Sequence, residues 1–416
     1  MECSISIDKL GRMSTQRRDY VYKYKDKVDI IALAMVDDLL GIAPCGLESL
    51  AMNTFINVQI EMKKLRFHTP GPDGKTKCHK IHVGRKHEFC PTLLVHGTTM
   101  PAVSSDTYLG DIICGDGTNK INIENRVLKG HGKIAIIMSM IEKISLGIFF
   151  FKIAFLMRES IFLSSILTNS EVRYRLTKTD IEELELLDRA LLKRILSVPD
   201  STPTAALYLE TGCLSTGTII KARRINYLQY LLKLPKEEML FKFFQCQWLD
   251  HKKHDWTEQV KCDLEDFDKK IDMETIEKKS VFSWKQYVKK KAKELEFKRL
   301  MKLKESKNES KLKNLKYEKL EGQQYLTTMD VKKAKTVFRF RTKMAQFSGN
   351  YKGQGPIELC PLCGSHSDHQ EMSFRCSVVR DKIELAEEYK NIFKPKISQD
   401  LANNLQKIDN LRRKED

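Results

Sequence analysis

Long hydrophobic runs are missing from this sequence. The most apolar stretch, Ile134 to Leu167, is broken by Glu142, Lys143, Lys152, Arg158 and Glu159, whereas a spanning helix needs about 20 predominantly apolar residues. That pattern predicts a pair of buried helices and no membrane association. The start, Met1 to Leu10, carries Glu2 and Asp8 and never builds the apolar core of roughly 7 to 15 residues that a secretion signal requires. No repeat of solenoid period is present. Proline is scarce, 11 in 416 residues, and Trp284 to Leu320 holds neither proline nor glycine, so neither of the two strongest helix breakers interrupts that stretch. The 11 cysteines are an odd, irregularly spread set. They read as reduced thiols in an intracellular protein, nuclear or cytoplasmic, and exclude a fully paired disulfide scaffold.

Positive charge is abundant. Lys and Arg number 72 against 55 Asp and Glu, a formal net charge of +17. Such an excess in a chain without a membrane segment points to a polyanionic partner, RNA or DNA. With 41% hydrophobic and 31% charged residues the chain has the apolar material for real cores and is not wholly disordered. Its length predicts two or three domains.

Val28 to Ile42 reads as two apolar runs flanking Asp37-Asp38, which fits two short strands and a tight turn. Leu50, Phe55, Val58, Met62 and Leu65 come next at near-helical spacing, Lys77 to Val83 alternates like a strand, and a further strand is predicted around Tyr108 to Ile113. Beyond Gly115-Asp-Gly117 the chain turns helical. Thr177 is a predicted N-cap for the Ile181, Leu184, Leu187, Leu191 and Ile195 face, and Pro199 ends that helix. Further helices are expected near Thr202-Pro203 and Thr218. Lysine dominates Trp284 to Leu320, read as one or two long basic helices, and a hinge at Gly349 to Pro356 precedes a Cys/His segment and a final charged helix.

Two adjacent carboxylates at the tip of an apolar hairpin repel each other unless a cation compensates, and Mg²⁺ does this with one or two carboxylates plus phosphate oxygens. The segment Ala34-Met-Val-Asp37-Asp38-Leu-Leu resembles the metal-binding palm hairpin of reverse transcriptases. The segments downstream of it resemble the same family in their order. Lys77-Cys-His-Lys-Ile-His-Val-Gly84 is similar to the next palm motif, and Tyr108-Leu109-Gly110 to the primer-grip strand. Thr202 to Gly212 and Arg223-Arg224-Ile-Asn-Tyr-Leu resemble the helical thumb of LINE-type, non-LTR retrotransposon polymerases. The resemblance implies Mg²⁺ at Asp37 and Asp38, Lys77 near the incoming nucleotide, and a primer positioned by Tyr108, Leu109 and Gly110. Only about 36 residues precede Asp37, too few at usual element lengths for the fingers and the upstream palm strand with its further aspartate. The chain therefore resembles the C-terminal part of such a polymerase. Little or no polymerisation is expected of it alone, and the missing upstream segment or another copy is an expected partner.

Cys360-Pro-Leu-Cys363 is a tight half-site of two thiolates, and His369 or His366 with Cys376 completes a tetrahedral zinc set, for which His369 is the preferred fourth ligand. The same resemblance places a zinc knuckle here, after Val337-Phe-Arg339-Phe-Arg341. A second group, Cys246, His251, His254 and Cys262, fits no tight half-site and is read as a solvated face. Arg223, Arg224, Arg339 and Arg341 are the predicted nucleic-acid contacts, with the Lys285 to Lys319 helices adding phosphate contact and stacking from Trp284, Tyr287 and Phe297.

The fold expected is α+β: a partial palm (1–114), a helical thumb (115–245), a lysine-rich helical segment (246–348), a zinc-knuckle-like module (349–380) and a charged C-terminal helix (381–416). Two functions compete. One is a fragment of an RNA-directed DNA polymerase; the other is a non-catalytic nucleic-acid-binding protein acting through its basic helices and knuckle.

Overall fold

The computed structural model describes residues 17–24, 27–35, 38–42, 50, 53–54, 57, 81, 92–95, 97–108, 110–143, 147–173, 176–249, 255–306, 311–351, 356–384 and 389–413, with backbone only for 17–42. Asp37, Lys77 and Leu109 lie outside these residues, as do His251 and His254. The fold is α+β, with short antiparallel sheets followed by many helices. The chain divides into two compact units, Met1–Glu124 and Asn125–Asp416.

In the first unit β1 (Arg17–Tyr24), β2 (Lys27–Met35) and β3 (Asp38–Ile42) form one sheet in sequence order. The expected hairpin is β2–β3, with Met35 opposite Asp38. Two small pairs come after it, β4 (Leu94–Val95) with β5 (Thr98–Thr99), and β6 (Ser105–Tyr108) with β7 (Asp111–Cys114). The single strand expected around Tyr108 to Ile113 is thus a hairpin. Tyr108 pairs with Asp111, and Gly110 sits in the turn at φ +84°, a left-handed conformation that glycine adopts without Cβ strain.

The second unit is helical. Ile134, Ile137 and Ile141 of α1 (Lys120–Lys143) are buried. α2 (Phe150–Met157) continues through a π turn, Arg158–Leu163, into Ser164–Ile166, and with the end of α1 it gives the two helices expected over Ile134 to Leu167. α3 (Lys178–Leu196) starts as the sequence predicts. Thr177 accepts from Asp180 N–H and the Asp180 carboxylate accepts from Thr177 N–H, so two orphan donors are satisfied reciprocally. It ends one residue ahead of Val198-Pro199, with Ser197 in the left-handed region.

α4 (Thr204–Thr211) and α5 (Thr216–Leu232) are next, then α6 (Met239–Leu249), α7 (Trp256–Asp268), α8 (Met273–Lys278) and the 25-residue α9 (Val281–Glu305). One core joins them: Ile225, Leu228 and Leu231 of α5 meet Val260 and Phe267 of α7, Ile276 of α8, and Trp284, Val288 and Ala292 of α9. Each of the larger side chains contributes about 1.5–3 kcal/mol of burial, so the lysine-rich segment and the helices before it are one folded body. α9 stops at Ser306. Further along, 313–324 runs irregularly over buried Leu315 and Leu320. α10 (Val331–Arg341), α11 (Ser377–Lys382) and α12 (Gln399–Arg412) complete the unit.

Candidate metal centre and basic surfaces

Cys360, Cys363, His366 and Cys376 bring one ligand atom each to within 4.8 Å of one another. The local sequence explains the convergence. Leu359 bridges Ser367, Cys360 N–H donates to His366 O at 2.7 Å, and Gly364 N–H donates to Cys360 O at 2.8 Å with Gly364 at φ +62°. This folds Cys-x-x-Cys-x-x-His into one knuckle. Cys376 is delivered separately, as the residue that begins α11. The Cys360 and Cys376 sulfurs lie 3.9 Å apart, close to the edge of about 3.8 Å that a Zn–S bond of about 2.3 Å gives in a tetrahedron.

The fourth ligand is a correction. His366, rather than His369, joins the cysteines; His369 is exposed and its ring packs against Gly349, where an added Cβ would come within 2.3 Å of Nδ1. The Nδ1 of His366 faces Ser367 O at 3.1 Å, while its Nε2 is buried without a hydrogen-bond partner. An Nδ1–H donated to a carbonyl leaves Nε2 as a free lone pair, the arrangement of a metal-ligating imidazole. The two shifted thiols differ. A hydrogen bond from Ser365 N–H pulls Cys363 down to about 7, and burial pushes Cys376 up to about 11. This Cys₃His cluster can hold a metal such as zinc.

The loop carrying the knuckle is tied to its neighbours. Arg412 of α12 donates to both Asp368 oxygens at 2.8 and 3.0 Å, and Ser348 N–H donates to the same carboxylate. Gln370 donates to Phe340 O and accepts from Asn350. The predicted hinge at Gly349 is therefore an anchored turn at its described start, where Gly349 N–H donates to Asp368 O.

The predicted arginine contacts serve the interior. Arg341 is wholly buried on Glu210, and Arg224 is buried on Asp263 at 2.7 Å and Gln259 at 2.9 Å. Arg339 pairs with Asp409 at 3.0 Å, and Arg223 donates to Leu167 O and is half-buried. A guanidinium engaged in this way is not free to fork onto a phosphate. Of the predicted stackers Trp284 is buried at 1% exposure, and Tyr287 is half-buried, donating to Asp268. Cys246 and Cys262 are exposed free thiols outside any cluster among the described residues.

Solvent instead meets lysines along the length of α9. Lys285, Lys289, Lys290, Lys298 and Lys302 are exposed, and Phe282 is 75% exposed. Phe282, Lys285 and Lys289 stand three, four and seven apart, so they share a face. Sequence reading missed Phe282 because its stacking candidates were taken from among the Lys285–Lys319 charges, while the every-fourth-residue series from Trp284 through Val288 and Ala292 marks the buried side. No helix described is long and apolar enough to cross a membrane. Comparison with models of protein families, with curated proteins and with solved structures gives no match to this chain.

Proposed function

We propose that the chain is the C-terminal part of a non-LTR retrotransposon reverse transcriptase, which binds RNA and DNA and does not polymerise by itself. The sequence order supports the family: aspartate hairpin, lysine motif, primer-grip-like segment, thumb-like helices, Cys/His knuckle. In the complete polymerase Asp37 and Asp38 would carry Mg²⁺ and Lys77 would lie near the nucleotide. The observation that carries binding is the α9 face, where exposed lysines flank an exposed Phe282. Ammonium groups neutralise phosphates and an aromatic ring accepts a base without sequence preference. Zinc in the Cys₃His cluster would tie the knuckle to Cys376 at the start of α11.

A second reading is a non-catalytic nucleic-acid-binding protein. It is favoured by the location of the α9 face and the Cys₃His cluster in Asn125–Asp416, apart from the unit that carries the aspartates. Primer extension on an RNA template with Mg²⁺, run beside a binding measurement, tests what the two readings share. Binding without extension, unchanged in Asp37→Ala/Asp38→Ala, is the expected result for this chain. Extension that the double substitution abolishes would show a working polymerase, and absence of binding at low salt would overturn both readings.

A further inference from the structure

Beside the metal loop an open cleft of about 950 Å³ is walled by residues 313–324 on one side and 389–396 on the other. Six lysines line it against three glutamates, Glu318, Glu321 and Glu371. Two of those carboxylates already have lysine neighbours, Lys319 at 3.0 Å from Glu321 and Lys343 at 4.0 Å from Glu371. Lys313 and Lys316 on one wall, and Lys394 and Lys396 on the other, are exposed and have no ion-pair partner among the described residues.

One buried group holds both walls. Arg341 Nη1 donates to Ile392 O and Lys394 O, each at 2.7 Å, while Nε and Nη2 engage Glu210. The hydroxyl of Tyr317, from the opposite wall, donates to the same Glu210. The separation of the lysine pairs is thus set by interior hydrogen bonds rather than by the lysines, as a preorganised site requires. Tyr389 and Phe393 also line the cleft, half-buried and edge to face with ring centroids 5.4 Å apart.

Resting on the nucleic-acid-binding reading, we infer that this cleft holds the phosphates of a single strand between Lys313 and Lys316 on one wall and Lys394 and Lys396 on the other. Charge complementarity selects a polyanion. The cleft's size matches a small-ligand pocket, so it takes a few nucleotides of one strand, with the Tyr389 and Phe393 rings available to a base.

The test uses the full chain and a fluorescein-labelled oligouridylate, with KCl as the variable. Substitution of all four lysines by alanine is expected to lower the slope of log affinity against log salt by roughly three, about 0.7 for each lost single-strand contact, and to weaken binding about tenfold or more. Circular dichroism and metal content should stay as in wild type. A Lys285→Ala/Lys289→Ala/Lys290→Ala variant supplies the comparison at α9. Wild-type binding with an unchanged slope in the four-lysine variant would overturn the cleft and leave the binding reading standing. Loss of duplex affinity with single-strand affinity intact would overturn the single-strand assignment. No binding by wild type would overturn the cleft together with the reading it rests on.

Discussion

Arg341 grips Glu210 at 3.0 Å, with both side chains wholly excluded from solvent. The pair is surrounded by further donors and acceptors: Tyr317 and Tyr325 donate to Glu210, and Arg341 reaches Ile392 O and Lys394 O. Desolvating two ions is costly, and only a full set of partners repays it. The group connects α4, α10 and the segment before α12.

Breaking that pair from one side is expected to cost about 3–5 kcal/mol, because the remaining charge stays buried without its partner. Arg341→Ala and Glu210→Ala should each show it in urea unfolding. Replacing both by methionine should cost less than the two single losses together. Arg341→Lys should rescue little, since an ammonium cannot span a carboxylate and two carbonyls at once.

Metal content separates the two histidines. One equivalent of zinc per chain is expected, lost in His366→Ala and in Cys376→Ser but kept in His369→Ala, as measured by atomic emission after dialysis. Co²⁺ substitution should give thiolate charge-transfer absorption in wild type and His369→Ala only. Retention of metal by His366→Ala with loss in His369→Ala would reverse the ligand assignment.

The Tyr287 hydroxyl, donating to Asp268, holds that carboxyl below the usual carboxylate range. A depressed folded-state value contributes stability above the unfolded value of about 3.9 that is lost as pH falls through the folded value. Tyr287→Phe should therefore destabilise by about 1 kcal/mol near pH 7, a figure at the low end for a charged acceptor because the pair is partly exposed. The gap between wild type and variant should hold down to about pH 4 and shrink below it. Denaturant midpoints across this range measure it; a gap that widens with acid would contradict the assignment.

Gly212 ends α4 at φ +69°, and a Cβ there would lie 2.1 Å from Gly322 N. Both the left-handed backbone and the backbone collision oppose any side chain. Gly212→Ala should cost about 2 kcal/mol or more, with the displaced 321–323 segment losing the hydrogen bond from Gln323 N–H to Glu210 O.

Local signals were legible and tertiary ones were not. The Thr177 cap, the stop before Pro199 and the Met35–Asp38 hairpin each depend on a few adjacent residues, and each agrees with the sequence reading. The knuckle was half legible. Cys360 and Cys363 announce it, and His366 repeats the same three-residue step, but the short spacer expected before the last cysteine favours His369, the nearer of the two to Cys376. The arginines failed for a different reason. Arg224 and Arg341 belong to strongly basic surroundings, and their acids, Asp263 and Glu210, lie far away in the chain. Charge patterning cannot distinguish a guanidinium that meets phosphate from one that meets a distant carboxylate.

Binding of a labelled RNA–DNA primer–template by the full chain, measured across rising KCl, tests the nucleic-acid reading most directly. Log affinity should fall linearly with log salt concentration, and Lys285→Ala/Lys289→Ala with Phe282→Ala should weaken binding and flatten the slope. Undetectable binding at low salt, or an affinity indifferent to salt and to these substitutions, would contradict it.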